Sequence, residues 1–385
     1  MQRLDKQEME LLIEQRGKYP SVSIYMPTLS GREGSAENPI RFKNLIKQAE
    51  NDLEAQGFKP SERQELLAPA SKLIDDSFFW GRQSKGLALF LSDGFYRYYR
   101  LPIEFEERVV VKNSFYLKPL FSLLAADQQF YVLALSQKDA RLLRGTRGFV
   151  EEMDLSEVIR KFEEKFGGEL PEKYLQFHTG AQPSGGMRAA IYYGHGGALD
   201  NVEREKLRKY FRFIDQELRQ IIDEKNVPLV LACVEELAPL YKEASNHPYL
   251  LEEGIRGNPD NMKAHEIHRA AMEIMEPVFK EKLEEVKNRY HDLLGTGKAS
   301  NNLREIVPAS FHGRVSELLV DTSRQEWGWY NQETGQLEWQ QESLAENEEL
   351  LDLASTETYI NRGEVFALKP EEMPDAEPLV AIFRW

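Results

Sequence analysis

The sequence predicts a mixed α/β protein of three domains, spanning 1–120, 121–255 and 256–385. Three observations predict it. The chain has 385 residues, and at roughly 100–200 residues per domain that length calls for two or three. Short apolar runs suited to strands alternate with apolar stripes at helical spacing, so neither element type dominates. The segment EEGIRGNPDN, residues 252–261, carries two glycines and a proline between patterned stretches, which marks a linker. A hydrophobic fraction of 41% and a charged fraction of 29% are enough to fill ordinary globular cores.

The first segment reads as α+β. Residues 1–19 form a short helix. SVSIYMPT (21–28) alternates and is rich in β-formers, so it is a strand. GREGSAEN follows as a loop. A helix covers 39–57, with Pro39 in its first turn, Gly57 as a stop, and Phe42, Ile46, Ala49 and Leu53 as its apolar stripe. The next helix, 61–76, opens on a capping box formed by Ser61 and Gln64. GLALFLS, FYRYYRLP and RVVVKNSFYL are strands divided by turn signals such as SDG, giving a small antiparallel sheet.

In the second segment QFYVLALS, ARLLRGT and GFVEEMDL are three short strands. A helix, DLSEVIRKFEEKFGG, then leads to KYLQFHT, read as a further strand. Helix 201–225 is amphipathic through Leu207, Phe211, Ile214, Leu218, Ile221 and Ile222. VPLVLACV (227–234) is a continuous apolar run, as a strand buried on both faces requires. Three strands followed by alternating helix and strand imply a mixed sheet flanked by helices, an order that an RNase H-like layout has.

In the third segment a long helix from Met262 passes Pro277, where a kink is expected. A helix ending at Gly313 and the strand RVSELLVD follow. EWGWYNQETGQLEWQQ forms a hairpin around Glu333, Thr334 and Gly335. Its Trp327, Trp329 and Trp339 serve either the core or a partner-docking face. A helix and the strands EVFALK and PLVAIFRW complete a compact α/β domain.

Charge is distributed unevenly. The net charge is -15, which excludes a protein that coats nucleic acid with its whole surface. Residues 1–120 carry 18 basic and 17 acidic side chains, 121–257 carry 18 and 22, and 258–385 carry 13 and 25. An RNA-facing patch therefore belongs to the first two thirds, and the acidic last third suits a protein partner. The single cysteine, Cys233, sits in an apolar strand and reads as a buried core residue. The charged N-terminus has no apolar run of a signal peptide, and no window approaches a membrane span, so a soluble, cytoplasmic protein is expected.

One stretch resists assignment to regular structure. HTGAQPSGGMRAAIYYGHGGALD, residues 178–200, holds Gly180, Gly185, Gly186, Gly194, Gly196 and Gly197. Glycine at such density lets backbone approach a crowded surface. Within it Gln182 has the chemistry to position a water, and His195, like His178, that of a general base near neutral pH. Each also has a plain reading as a polar loop residue. Arg188 in the stretch and Arg204, Lys206, Arg208, Lys209 and Arg212 just beyond it would meet phosphates. In the first segment Arg41, Lys43 and Lys47, with Arg82, Lys85, Arg97 and Arg100, form a second candidate RNA patch. Tyr96, Tyr98 and Tyr99 lie among them, either stacking on bases or packing a core.

Other chemistries fit poorly. A two-metal nuclease needs carboxylates on central strands, and QFYVLALS and LVLACV have none. His265 and His268 are three apart, not the four of a zinc-protease helix. GTGKAS lacks P-loop spacing. No metal and no cofactor is expected.

Read together, SVSIYMPT, IRFKNLIKQAE, FFWGRQSKGLALFLSDGFYRYYRLP, FYVLALSQKDARLLRG, PLVLACVEELAPLY and NLREIVPASFHGRVSELLVD resemble the bacterial homologues of archaeo-eukaryotic class-1 release factors, a group related to eukaryotic release factor and Pelota. The resemblance spans nearly the whole chain. It implies a specificity-like first domain, an RNase H-like middle domain and a last domain that is an α/β/α sandwich resembling the Pelota C-terminal domain. It places the glycine stretch where release factors carry a Gly-Gly-Gln loop. Here the glutamine follows Gly180 and Ala181 instead. The function it implies is translation termination, ribosome rescue or quality control, with peptidyl-tRNA ester hydrolysis at the loop. The partners it implies are the ribosome or tRNA, and a translational GTPase or other protein at the acidic third domain. A non-catalytic ribosome-, tRNA- or protein-binding module is the alternative, and an unrelated hydrolase or stress protein on the same scaffold is the third reading.

Overall fold

A computed structural model of the chain describes residues 4–29, 31–124, 129–136, 139–166, 201–222, 227–344 and 346–385. Two compact units result. One joins Met1–Ala126 with Lys282–Trp385, and the other is Asp127–Glu281. The first and third sequence segments thus contribute to a single unit.

The N-terminal part of the first unit runs α1 (Lys6–Ile13), β1 (Ser21–Pro27), α2 (Gly31–Ala55), α3 (Pro60–Ser71), α4 (Ser77–Trp80), β2 (Gly86–Ser92), β3 (Phe95–Leu101), β4 (Arg108–Lys112) and α5 (Phe121–Leu124). Its sheet has the order β3-β2-β1-β4 and is antiparallel at every pairing. Val22, Ile24 and Met26 of β1 face the stripe Phe42, Ile46, Ala49 and Leu53 of α2, the period-two and helical spacings that the sequence displays.

Two local expectations are corrected. GREGSAEN is not a loop: α2 begins at Gly31 and contains Pro39. The buried Asn38 side chain anchors this start, accepting from Leu29 N at 3.1 Å and donating to Leu29 O at 2.9 Å. Nor does Ser61 cap α3. The helix starts at Pro60, and Glu62 reaches back to Lys59 N at 2.8 Å, because proline's fixed φ favours the first helical position.

The second unit contains β5 (Phe130–Leu135), β6 (Ala140–Thr146), β7 (Phe149–Met153), α6 (Ser156–Phe166), α7 (Asn201–Ile221), β8 (Leu229–Cys233), α8 (Ala238–Ala244) and β9 (Ile255–Arg256). The sheet order is β7-β6-β5-β8-β9, antiparallel from β5 to β7 and parallel from β5 through β8 to β9. It is the mixed sheet expected from the strand order. Along β5, Tyr131, Leu133 and Leu135 pack toward α6, α7 and α8, while Phe130, Val132 and Ala134 pack toward Ile267, Ala271 and Met275. Those residues belong to α9 (Ala264–Leu293). Gly145 gives Phe130 its place: a Cβ there would lie 2.6 Å from the ring. Cys233 is a buried core residue, and burial pushes its thiol up to about 11.

After α9 come β10 (Ala299–Ser300), α10 (Leu303–Phe311), β11 (Val315–Asp321), β12 (Trp327–Tyr330), β13 (Leu337–Gln340), β14 (Glu348–Glu349), α11 (Leu350–Ile360), β15 (Glu364–Leu368) and β16 (Leu379–Phe383). They build one sheet of order β10-β16-β11-β15 and a small one of order β13-β12-β14. One hydrophobic cluster takes in Tyr25, Phe90 and Phe115 from the N-terminal part and Ile306, Val320 and Leu351 from the C-terminal part. That shared core is why the two parts form one unit. Among the described residues no helix is long and apolar enough to cross a membrane.

Candidate nucleic-acid interface

The orientation of α7 is set by its apolar face. Leu207, Phe211, Ile214 and Leu218 are buried against the sheet. Aromatic contacts lock the helix to its neighbours: Phe162 of α6 meets Tyr210 at 4.8 Å, and Tyr241 of α8 meets Phe211 at 5.6 Å. The buried Asp215 accepts from Ser245 Oγ at 2.5 Å and from Asn246 N at 3.1 Å, tying α7 to the end of α8. With one side so committed, the basic residues are turned outward.

Arg204, Arg208 and Arg212 recur every four residues and therefore share one stripe. Arg208 is engaged, with Glu205 at 2.7 Å and Glu243 of α8 at 2.7 Å. These two carboxylates raise the guanidinium pKa further above its ordinary value. Arg204 and Arg212 are exposed and have no ion pair among the described residues. Lys206 is half-buried on another flank, and Lys209 is exposed but has a partner. Arg219 continues the stripe nearly two turns beyond Arg212 and is paired with Asp215 at 3.3 Å. The sequence reading missed it, although helical spacing from Arg204 would have found it.

The region holding this helix resembles a known family. Residues 129–314 match the model of the bacterial archaeo-eukaryotic release factor family 3. That segment resembles the family's bacterial release factor-like proteins. No curated protein matches the chain. Among solved structures it is similar to an archaeal translation termination factor, aRF1, at 15% identity over 99% of each chain with a TM-score of 0.23. It is similar to Archaeoglobus fulgidus Pelota at 12% identity over 78% of this chain and 79% of that one, with a TM-score of 0.28. The third is S. cerevisiae Dom34, described as a translation termination-like factor interacting with Hbs1, at 11% identity over 83% and 77% with a TM-score of 0.32. At such scores these likenesses add nothing to the match over residues 129–314.

The remaining sequence candidates fall into three groups. Gln182, His195, His178, Arg188 and Gly180, Gly185, Gly186, Gly194, Gly196 and Gly197 lie outside the described residues. In the N-terminal patch, Lys43 and Lys47 are exposed on α2 without an ion pair among the described residues. Arg41 is held by Glu107 at 3.4 Å and Glu37 at 3.9 Å. Arg97 pairs with Glu8 at 3.7 Å, and Arg100 lies 4.5 Å from the Phe79 ring centroid. The nearby tyrosines are absorbed by packing. Tyr99 is buried and donates to Glu8 at 2.6 Å, and Tyr98 meets Phe79 at 5.1 Å. Of the metal-like pair, His268 bonds Thr146 O at 2.7 Å and stacks on Phe130, while His265 is exposed. Among the described residues no cluster could hold a metal.

A second charged assembly, invisible in the sequence, lies inside the first unit. Lys118 is fully buried and pairs with Glu349 at 3.5 Å. Asp352 accepts from Leu117 N at 2.7 Å and Lys118 N at 2.5 Å. Lys112 donates to Asn347 Oδ1 at 2.9 Å, and Arg16 bonds Glu357. Burial and the nearby Glu349 push the Asp352 carboxyl up to about 8, and burial brings the Lys112 ammonium down to about 8. Tyr116 and Thr356 line an adjoining cavity of about 30 Å³, room for about one water. These groups join segments more than 200 residues apart in the chain. They hold the unit together through paired charges.

Proposed function

We propose that this protein acts at the ribosome in translation termination, rescue or quality control, gripping ribosomal or transfer RNA with the outward face of α7. The observation that carries this reading is the pair of exposed, uncompensated arginines, Arg204 and Arg212, inside the family-matched region. A rigid helix with guanidinium groups at regular spacing suits a phosphate backbone, because each contact releases condensed counterions. Chemistry at Gln182, the hydrolysis of a peptidyl-tRNA ester, forms the second part of the proposal and rests on the sequence alone. The acidic segment 258–385 is assigned to a protein partner, by its charge.

Sedimentation of the tagged protein with ribosomes across a salt series tests the first part. Co-sedimentation that weakens steeply with salt is expected, and its absence at low salt would refute RNA binding. Peptidyl-tRNA cleavage by wild type and Gln182→Ala tests the second. Loss of cleavage in the variant is expected. Binding without cleavage in either protein identifies a non-catalytic module.

A further inference from the structure

The small sheet of the first unit carries a surface that neither the core nor the α7 reading uses. Between Arg324 and Glu348 the chain has one basic residue and six glutamates, of which Glu333, Glu338, Glu342 and Glu346 are exposed. In the same span Trp329 is 42% exposed, Trp339 49% and Leu344 51%. Cross-strand register orders them. Trp327 opposes Gln340, Gly328 opposes Trp339, Trp329 opposes Glu338 and Tyr330 opposes Leu337. Tyr330 packs into the core, and a Cβ on Gly328 would lie 2.7 Å from Leu350, so this face looks inward. By strand alternation Trp327 and Trp329 share the outer face, with Glu338 directly beside Trp329.

The outer face already binds one cation. The Lys112 ammonium lies 4.7 Å from the Trp327 ring centroid. Two residues along the strand, Trp329 presents the same kind of aromatic surface beside an exposed carboxylate, and Glu338 has no ion pair among the described residues. An indole face next to a carboxylate attracts a guanidinium or ammonium through both the ring quadrupole and the full charge. The hairpin is held firmly enough to keep that geometry. Asn347, itself buried, donates to Gln340 Oε1 at 2.8 Å and Glu342 O at 2.7 Å while accepting from Leu344 N and Lys112. A surface arranged in advance loses less ordering entropy when it binds.

We propose that the outer face of the β12–β13 hairpin docks an arginine- or lysine-bearing protein segment, one cation being held between the Trp329 ring and the Glu338 carboxylate. This deepens the protein-partner part of the function above and is independent of the RNA-gripping part. The occupant is a basic polypeptide because the surrounding charge is negative, which repels RNA and membranes of acidic lipid.

Calorimetric titration of the full chain with a capped hexa-arginine peptide, and with the same peptide in citrulline, tests it. Saturable binding of the arginine peptide and none of the citrulline peptide is expected. Trp329→Ala and Glu338→Gln should each weaken binding about fivefold, with unchanged thermal unfolding, while Lys72→Ala, at an exposed position, leaves it unchanged. Equal affinity in wild type and both variants would overturn the proposal, since the peptide would then be responding only to net charge. Preferred binding of a uridine decamer, lost in Trp329→Ala, would overturn it in favour of a nucleic-acid face. Concentration-dependent self-association abolished by Trp329→Ala would overturn it in favour of a second copy of this chain. None of these results bears on ribosome sedimentation, so the two readings fail separately.

Discussion

The outward stripe of α7 and the junction inside the first unit are built from the same residue types, yet their chemistry is opposite. On α7 the arginines stand on the solvent side of an amphipathic helix, and Arg204 and Arg212 keep their charge uncompensated. At the junction the buried Lys118 and Lys112 meet Glu349 and Asn347, and the partly exposed Arg16 meets Glu357. A solvated cation is available to a phosphate. A buried one is committed to its neighbours, because leaving either partner alone in a low dielectric is costly. Charge density by itself therefore does not mark a binding surface. What marks it is whether the fold supplies the opposite charge.

The largest effect should come from breaking the junction. Lys118→Ala strips Glu349 of its buried cation, and a loss of about 3–5 kcal/mol in unfolding free energy is expected from urea titration. Glu349 keeps bonds from Glu326 N, Leu351 N and Asp352 N, so adding Glu349→Gln should restore part of the loss. Stability unaffected by Lys118→Ala would mean the junction is not the weld described.

Next is the pH response of the same region. The folded Asp352 has its carboxyl near 8 against an ordinary 3.8, so between those values the folded protein holds a proton that the unfolded chain has released. Its contribution is complete below pH 3.8 and is lost as pH rises toward 8. Lys112 acts in a separate window. Its ammonium is lowered from 10.5 to about 8, so its contribution improves as pH rises between those values and the burial cost persists below 8. Asp352→Asn should flatten the decline between pH 4 and pH 8. Unfolding midpoints at pH 5, 6.5 and 8 measure it, and an unchanged slope would contradict the burial of this carboxyl.

The α7 face should behave in the opposite way, with little stability effect and a clear binding effect. Arg204→Glu with Arg212→Glu should lower the slope of log affinity against log salt by about 1.5, as expected for two lost phosphate contacts. The melting temperature should stay within about 2 °C, since exposed substitutions cost little. The smallest effect is expected for Arg208→Ala, under about threefold in affinity, because Glu205 and Glu243 already engage that side chain. Equal losses at Arg208 and Arg212 would erase the distinction between compensated and free cations.

Much of the local structure was legible in the residues. The apolar run at 229–233, the stripe Leu207, Phe211, Ile214 and Leu218, and the hairpin around Gly335 all appear where periodicity and turn chemistry put them. These patterns are local and repeat within a few residues. The errors fell where a contact from outside the window decides. The start of α2 depends on Asn38 closing on Leu29, and the entry of α3 on Glu62 reaching Lys59. On α7 the basic residues were legible as a run, but Glu243, which engages Arg208, sits 35 residues away on α8.

Side-chain spacing along single elements accounts for the alternation of helix and strand, the outward basic helix and the acidic, tryptophan-bearing hairpin. Long-range packing is what gives the N- and C-terminal parts a shared core and a buried ionic junction. It also decided which arginines of α7 remain free. Pairing between residues tens or hundreds of positions apart leaves no periodic trace in the chain, and it is that pairing that converts a charged residue into either a weld or a hand-hold.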